Sequence, residues 1–123
     1  MKTISNEKNL EILGVEFNAC YPEELVEKIY SLDTKEKSAY VSFVGVPGVV
    51  SCLDSEFVKK VENSADICAM DGAPIAKISK KRGIKCARCG GPDIMKLVLE
   101  AGIERNAKHY FYGCTDEVLA KLK

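Results

Sequence analysis

The 123-residue sequence has no surplus of either charge: 18 Lys and Arg balance 18 Asp and Glu. Nothing in that balance drives counterion release from a nucleic acid, so a polyanion-binding protein is disfavoured. Long apolar runs are missing as well; none approaches the roughly 18 residues that a membrane span needs. The opening stretch MKTISNEKNLEIL carries no apolar core, so no secretory leader is read there. Three signatures of nucleotide or acyl chemistry are absent: G-x-G-x-x-G, G-x-x-x-x-G-K-[ST] and G-x-S-x-G. Histidine occurs once, as His109, which leaves Cys86-Ala87-Arg88-Cys89 with neither a histidine pair nor a second C-x-x-C to complete a zinc site.

What is present is a 46% apolar composition. At 13.5 kDa, scaling predicts a folded surface of about 6,500 Å² against about 19,600 Å² for the extended chain. That suffices for one core, and residues 1–123 are expected to form a single domain. Disorder is excluded by the same composition. Six cysteines occur, and Cys52 and Cys68 lie within apolar segments. Residues of that kind are small buried hydrophobes with free thiols in a reduced, cytoplasmic protein.

Apolar runs alternate with helical patterns. Strands are expected at Leu10–Phe17, Ala39–Val44, Ala65–Met70, Lys85–Cys89 and His109–Tyr112. Pro22 opens a first helix, with Glu23 and Glu24 in its first turn and Leu25, Ile29 and Leu32 forming a buried stripe. Further helices carry Phe57, Val58 and Val61; Ile75 and Ile78; and Ile94, Leu97, Val98 and Ala101. Gly83 is placed to end the third of these four helices, and Thr115 to cap a fifth. The alternation implies an α/β, Rossmann-like three-layer domain with a mainly parallel sheet of about five strands.

Ligands of open α/β sheets bind beyond the carboxyl ends of the strands. The turns expected there are Gly45–Gly48, Asp71–Pro74, Gly90–Asp93 and Gly113–Asp116, each leading into a helix whose amides favour an anion. Tight turns also need Gly and Pro for geometry alone. Asp71 follows the third strand, where its carboxylate either takes a proton from an attacking hydroxyl or caps the Pro74 helix. The cations Lys77, Lys80, Lys81, Arg82, Lys85 and Arg88 form either a solvated face or a patch for a pyrophosphate or an anionic membrane. Cys86 and Cys89 are structural, a redox pair or half a metal site. A general-base role for His109 is the minor alternative to a structural one.

The ordered set Phe57-Val58, Ala65-Asp66, Asp71-Gly72, Gly91-Pro92-Asp93-Ile94-Met95 and Tyr110-Phe111-Tyr112-Gly113 resembles the WecG/TagA/CpsF family of bacterial glycosyltransferases, from about Ile12 onward. The resemblance implies transfer of an N-acetylmannosamine-type sugar from a UDP donor to an undecaprenyl-diphosphate-linked acceptor in cell-wall or surface polysaccharide synthesis. It implies no cofactor and no bound metal. Carried over, Asp71 is the catalytic base, Gly72 lies beside it, Gly91 and Asp93 border the nucleotide-sugar crevice, and Gly113 follows the aromatic strand. Two departures stand out. The family places Thr and Asn after the second strand, where this chain has Ser42 and Gly45. Family members also continue beyond position 123, so the chain is expected to be the amino-terminal part of a longer protein, with an apolar edge that favours homo-oligomers. Peripheral contact with the inner face of the cell membrane is a further expectation. The alternative is a non-catalytic remnant serving as a nucleotide-binding or interaction module. A flavodoxin- or receiver-like domain fits less well, because Asn18-Ala19-Cys20 stands where clustered acids belong.

Overall fold

The computed structural model describes residues 6–122. Residues 1–5, part of the stretch read above as having no leader, lie outside the described residues, as does Lys123. The expected first strand is two strands: β1 (Leu10–Ile12) and β2 (Val15–Phe17) form an antiparallel hairpin pairing Leu10 with Phe17 and Ile12 with Val15. The two residues between them, Leu13 and Gly14, both take positive φ (49° and 85°), as a two-residue hairpin turn requires. Helix α1 (Pro22–Tyr30) begins as its sequence indicates, with Glu24 accepting from the Tyr21 amide at 3.1 Å.

The central element is a parallel pair, β3 (Val41–Val44) and β4 (Ile67–Met70), in the register Val41 to Ile67 through Val44 to Met70. All four residues of β4 are fully buried, as a strand covered on both faces should be. Its side chains alternate between two core clusters. Cys68 and Met70 pack with the hairpin, Val49, Cys52, Ile75 and Cys86, whereas Ile67 and Ala69 pack with Leu25, Cys89 and Ile94. Two helical segments, α2 (Val46–Asp54) and α3 (Glu56–Asn63), link β3 to β4, and the Ser55 hydroxyl caps α3 by accepting from the Val58 amide. Phe57 of α3 is 75% exposed and is no part of the core.

Helix α4 (Ala73–Lys81) ends at Gly83 as expected. Gly83 takes φ 83°, its amide bonds to Lys80, and the Ile84 amide bonds back to Ser79, the paired closure of a glycine-terminated helix. Helix α5 (Gly91–Gly102) packs on α1, and α6 (Asp116–Leu122) starts with Thr115 accepting from the Val118 amide.

The expected five-stranded parallel sheet does not form among the described residues; there are two sheets of two strands each. Residues 85–89 make only isolated bonds, Ala87 to Cys20 and Cys89 to Met70. Cys86 and Cys89 are buried, one in each core cluster, but the segment forms no continuous ladder with a neighbouring strand. Residues 109–112 have no strand partner, and Tyr110 and Tyr112 are exposed. No helix of the described residues is long and apolar enough to cross a membrane.

Candidate active site

Because β3 and β4 run parallel, both chains leave the sheet at the same edge. There the Asp71 amide donates to the Val44 carbonyl at 3.0 Å, extending the ladder one residue past β4. Gly45 must be small: a Cβ on it would stand 2.6 Å from the Asp71 carbonyl oxygen. A Cβ on Gly72 would lie 3.5 Å from the Gly45 Cα, so the two turns are in contact. The turn before α5 closes the cluster. A Cβ on Gly90 would meet Arg88 Nη2, Asp71 Oδ1 and Asp93 Oδ2 at 3.5–3.6 Å, and one on Gly91 would lie 4.0 Å from Asp71 Oδ2.

Three helices therefore start around Asp71, α2 against its backbone carbonyl and α5 against its carboxylate. Gly45, Gly72 and Gly90 are the caps of α2, α4 and α5; each helix has proline in its first two positions, and none has a side-chain hydrogen bond at its cap. Glycine caps leave the first-turn amides without a side-chain acceptor, and the helix dipoles add partial positive charge at the same place. Arg88 supplies a full charge, its Nη2 donating to Asp71 Oδ1 at 3.3 Å; the Asp71 side chain is 28% exposed and that of Arg88 58%. The Asp71 carboxylate is thus neither buried nor at the opposite end of the strands.

The structure brings Gly45, Asp71, Gly72, Gly91 and Asp93 together. It does not bring Ser42 or Gly113 into the same cluster of contacts. The Ser42 hydroxyl donates to the Glu62 carboxylate of α3, on the sheet face shared with Cys68. Gly113 takes φ 121° in the turn before α6, and a Cβ there would meet nothing within 4 Å. Arg88 is the residue that the sequence reading left in a general basic patch. The signal available was its place two residues before Gly90-Gly91-Pro92, which fixes it at the mouth of α5. The other cations do not join it: Arg82 donates to the Glu11 carbonyl at 2.7 Å, and Lys77, Lys80, Lys81 and Lys85 are exposed. A separate concavity of about 540 Å³ lies between His109–Phe111 and α6 and contains none of these groups.

Six free thiols complete the chemical inventory, five of them buried and Cys114 exposed. Burial pushes Cys68 up to about 12 and also raises Cys52 and Cys86. Among the described residues no three ligating side chains are grouped to hold a metal ion.

The structure is a mixed α/β one whose parallel strand pair gathers three helix starts, a carboxylate and a guanidinium at its carboxyl edge. The chain belongs to the Glycosyl transferase WecG/TagA/CpsF family, whose profile matches residues 10–123. It is a glycosyltransferase of that type. No curated protein matches the sequence.

Proposed function

We propose that this glycosyltransferase moves an N-acetylmannosamine-type sugar from a UDP donor to an undecaprenyl-diphosphate-linked acceptor, with inversion at the anomeric carbon. The observation that carries the reading is the meeting of α2, α4 and α5 at Asp71 with glycine caps. A diphosphate accepts hydrogen bonds from such amides, and the helix dipoles favour its charge. The acceptor hydroxyl attacks the anomeric carbon while UDP leaves from the opposite face. Asp71 takes the hydroxyl proton. Charge developing on the diphosphate is met by first-turn amides and by Arg88, which are already oriented before reaction. The exposed cations of α4 support peripheral contact with an anionic membrane surface at the cytoplasmic side, where a lipid-linked acceptor is held.

Measured turnover and donor binding test these roles in the same samples. Asp71→Asn is expected to lower turnover by about 10²–10⁴-fold, the range for losing a general base, with UDP-sugar binding retained. Arg88→Gln is expected to weaken the transition state by about 10²-fold, as for loss of one preorganised donor. Unchanged turnover in Asp71→Asn would remove that residue from the mechanism. A second reading, a nucleotide-binding module without transfer, is favoured by one observation: Ser42 is committed to Glu62, and Gly45 offers no side chain. Donor binding with no turnover in the unmutated chain would select it.

A further inference from the structure

Three buried thiols converge where residues 18–20 meet residues 86–89, and the proposed transfer reaction uses none of them. The Ala87 amide donates to the Cys20 carbonyl at 3.2 Å, which fixes the two segments side by side. The Cys89 thiol donates to the same carbonyl at 3.6 Å, which sets its sulfur beside the Cys20 backbone. These two sulfurs share one core cluster with Leu25, Ile67 and Ile94. Cys86 belongs to the other cluster, beside Met70 and Ile75. The geometry therefore separates the two cysteines of the C-x-x-C and pairs the second with a cysteine 69 residues away.

We infer that Cys20 and Cys89 are a reversible dithiol–disulfide site that exchanges with a small-molecule disulfide. Cys20 is the attacking sulfur. The Cys89 side chain lowers its pKa against the opposing effect of burial, with help from Lys28, whereas Cys89 is raised by Cys20 and by burial. The Cys20 thiolate attacks one sulfur of the small disulfide, forming a mixed disulfide and releasing one thiolate. Cys89 then gives up its proton and attacks the Cys20 sulfur, expelling the second. Two protein thiols are oxidised and one small disulfide is reduced to two thiols. Cys89 lies between Arg88 and Gly90, so the new bond ties the mouth of α5 to the segment after β2. Its bearing on sugar transfer rests on the site reading above, but its formation does not.

The test uses the full chain carrying Cys114→Ser, which removes the exposed thiol and with it disulfides between molecules. The protein is equilibrated in buffers of oxidised and reduced glutathione, quenched with acid, denatured, alkylated and digested with trypsin. Cleavage after Arg88 puts Cys86 and Cys89 on different peptides, and cleavage after Lys8 and Lys28 isolates Cys20. The expected result is a protein lighter by two hydrogens, with the Cys20 and Cys89 peptides linked and Cys52, Cys68 and Cys86 alkylated. Reduced glutathione should reverse it. Full alkylation of all five remaining thiols at every buffer ratio, or a Cys86 peptide linked to either partner, would overturn the assignment. The readout is independent of catalysis, so it fails or succeeds separately from the proposed transferase activity.

Discussion

A methyl group on Gly45 would stand 2.6 Å from the carbonyl oxygen of Asp71, a backbone atom that cannot rotate aside. Gly45 is in an extended conformation, so the penalty of Gly45→Ala is steric and comes from pushing β3 and β4 apart at their shared edge. Overpacking of this kind costs about 1–3 kcal/mol. Chemical denaturation should report that loss, with weaker donor binding accompanying it. Cys68 gives a prediction of a different sort. Burial raises its thiol to about 12 from an ordinary 9.0. Between those values the unfolded chain has released the proton and the folded one retains it, so stability falls as pH rises above about 9, at a limiting slope of about 1.4 kcal/mol per pH unit. Denaturation midpoints measured from pH 8 to 10.5 should show the decline, and Cys68→Ala should make it shallower by that one group's share, the raised thiols of Cys52, Cys86 and Cys89 carrying the rest.

Among the elements, α5 has two duties: its inner face fills the cluster beneath Ile67 and Ala69, and its first turn frames Asp71. Ile94, 1% exposed, links them, and Ile94→Ala should cost about 2–5 kcal/mol. Ile103, 76% exposed just past the helix, serves as the control; its replacement should change the denaturation midpoint little. The helices were the legible part of the sequence. Pro22 with Glu24, Gly83 after Lys81, and Thr115 before Asp116 each carry their end signals locally, and each end forms where those signals stand. The strands were less legible. Gly14 splits Leu10–Phe17 into a hairpin, a change of direction that the alternating apolar pattern on either side does not record. Lys85–Cys89 makes only two isolated backbone bonds and His109–Tyr112 pairs with no strand, because pairing is a property of two segments at once. At the site, Asp71, Gly72, Gly91 and Asp93 follow from their positions after a strand or at a helix start. The place of Arg88 just before Gly90 is a local signal, but its bond to Asp71 and that of Ser42 to Glu62 span 17 and 20 residues, which no local motif encodes.

At the scale of the molecule, the accessible surface is 8730 Å², about a third more than the roughly 6,500 Å² of a compact protein of this mass. Large apolar side chains are among the exposed residues. Val46, Val50 and Leu53 form an outward stripe along α2, continued by Phe57, and Tyr110 and Tyr112 stand free of the core. Surfaces of this kind associate, and we expect the chain to form dimers or larger homo-oligomers at micromolar concentration, with Leu53→Lys and Phe57→Glu together restoring the monomer in light scattering. A monomer at every concentration would oppose that expectation. The same scale holds the central claim, that three helix starts from distant parts of the chain form one receptacle for a diphosphate. Backbone amide NMR during titration with UDP reads it directly. The account predicts that the largest shifts fall together at residues 46–49, 72–76 and 90–94. Shifts confined to the concavity between residues 109–111 and α6, or to a single one of the three helix starts, would contradict it.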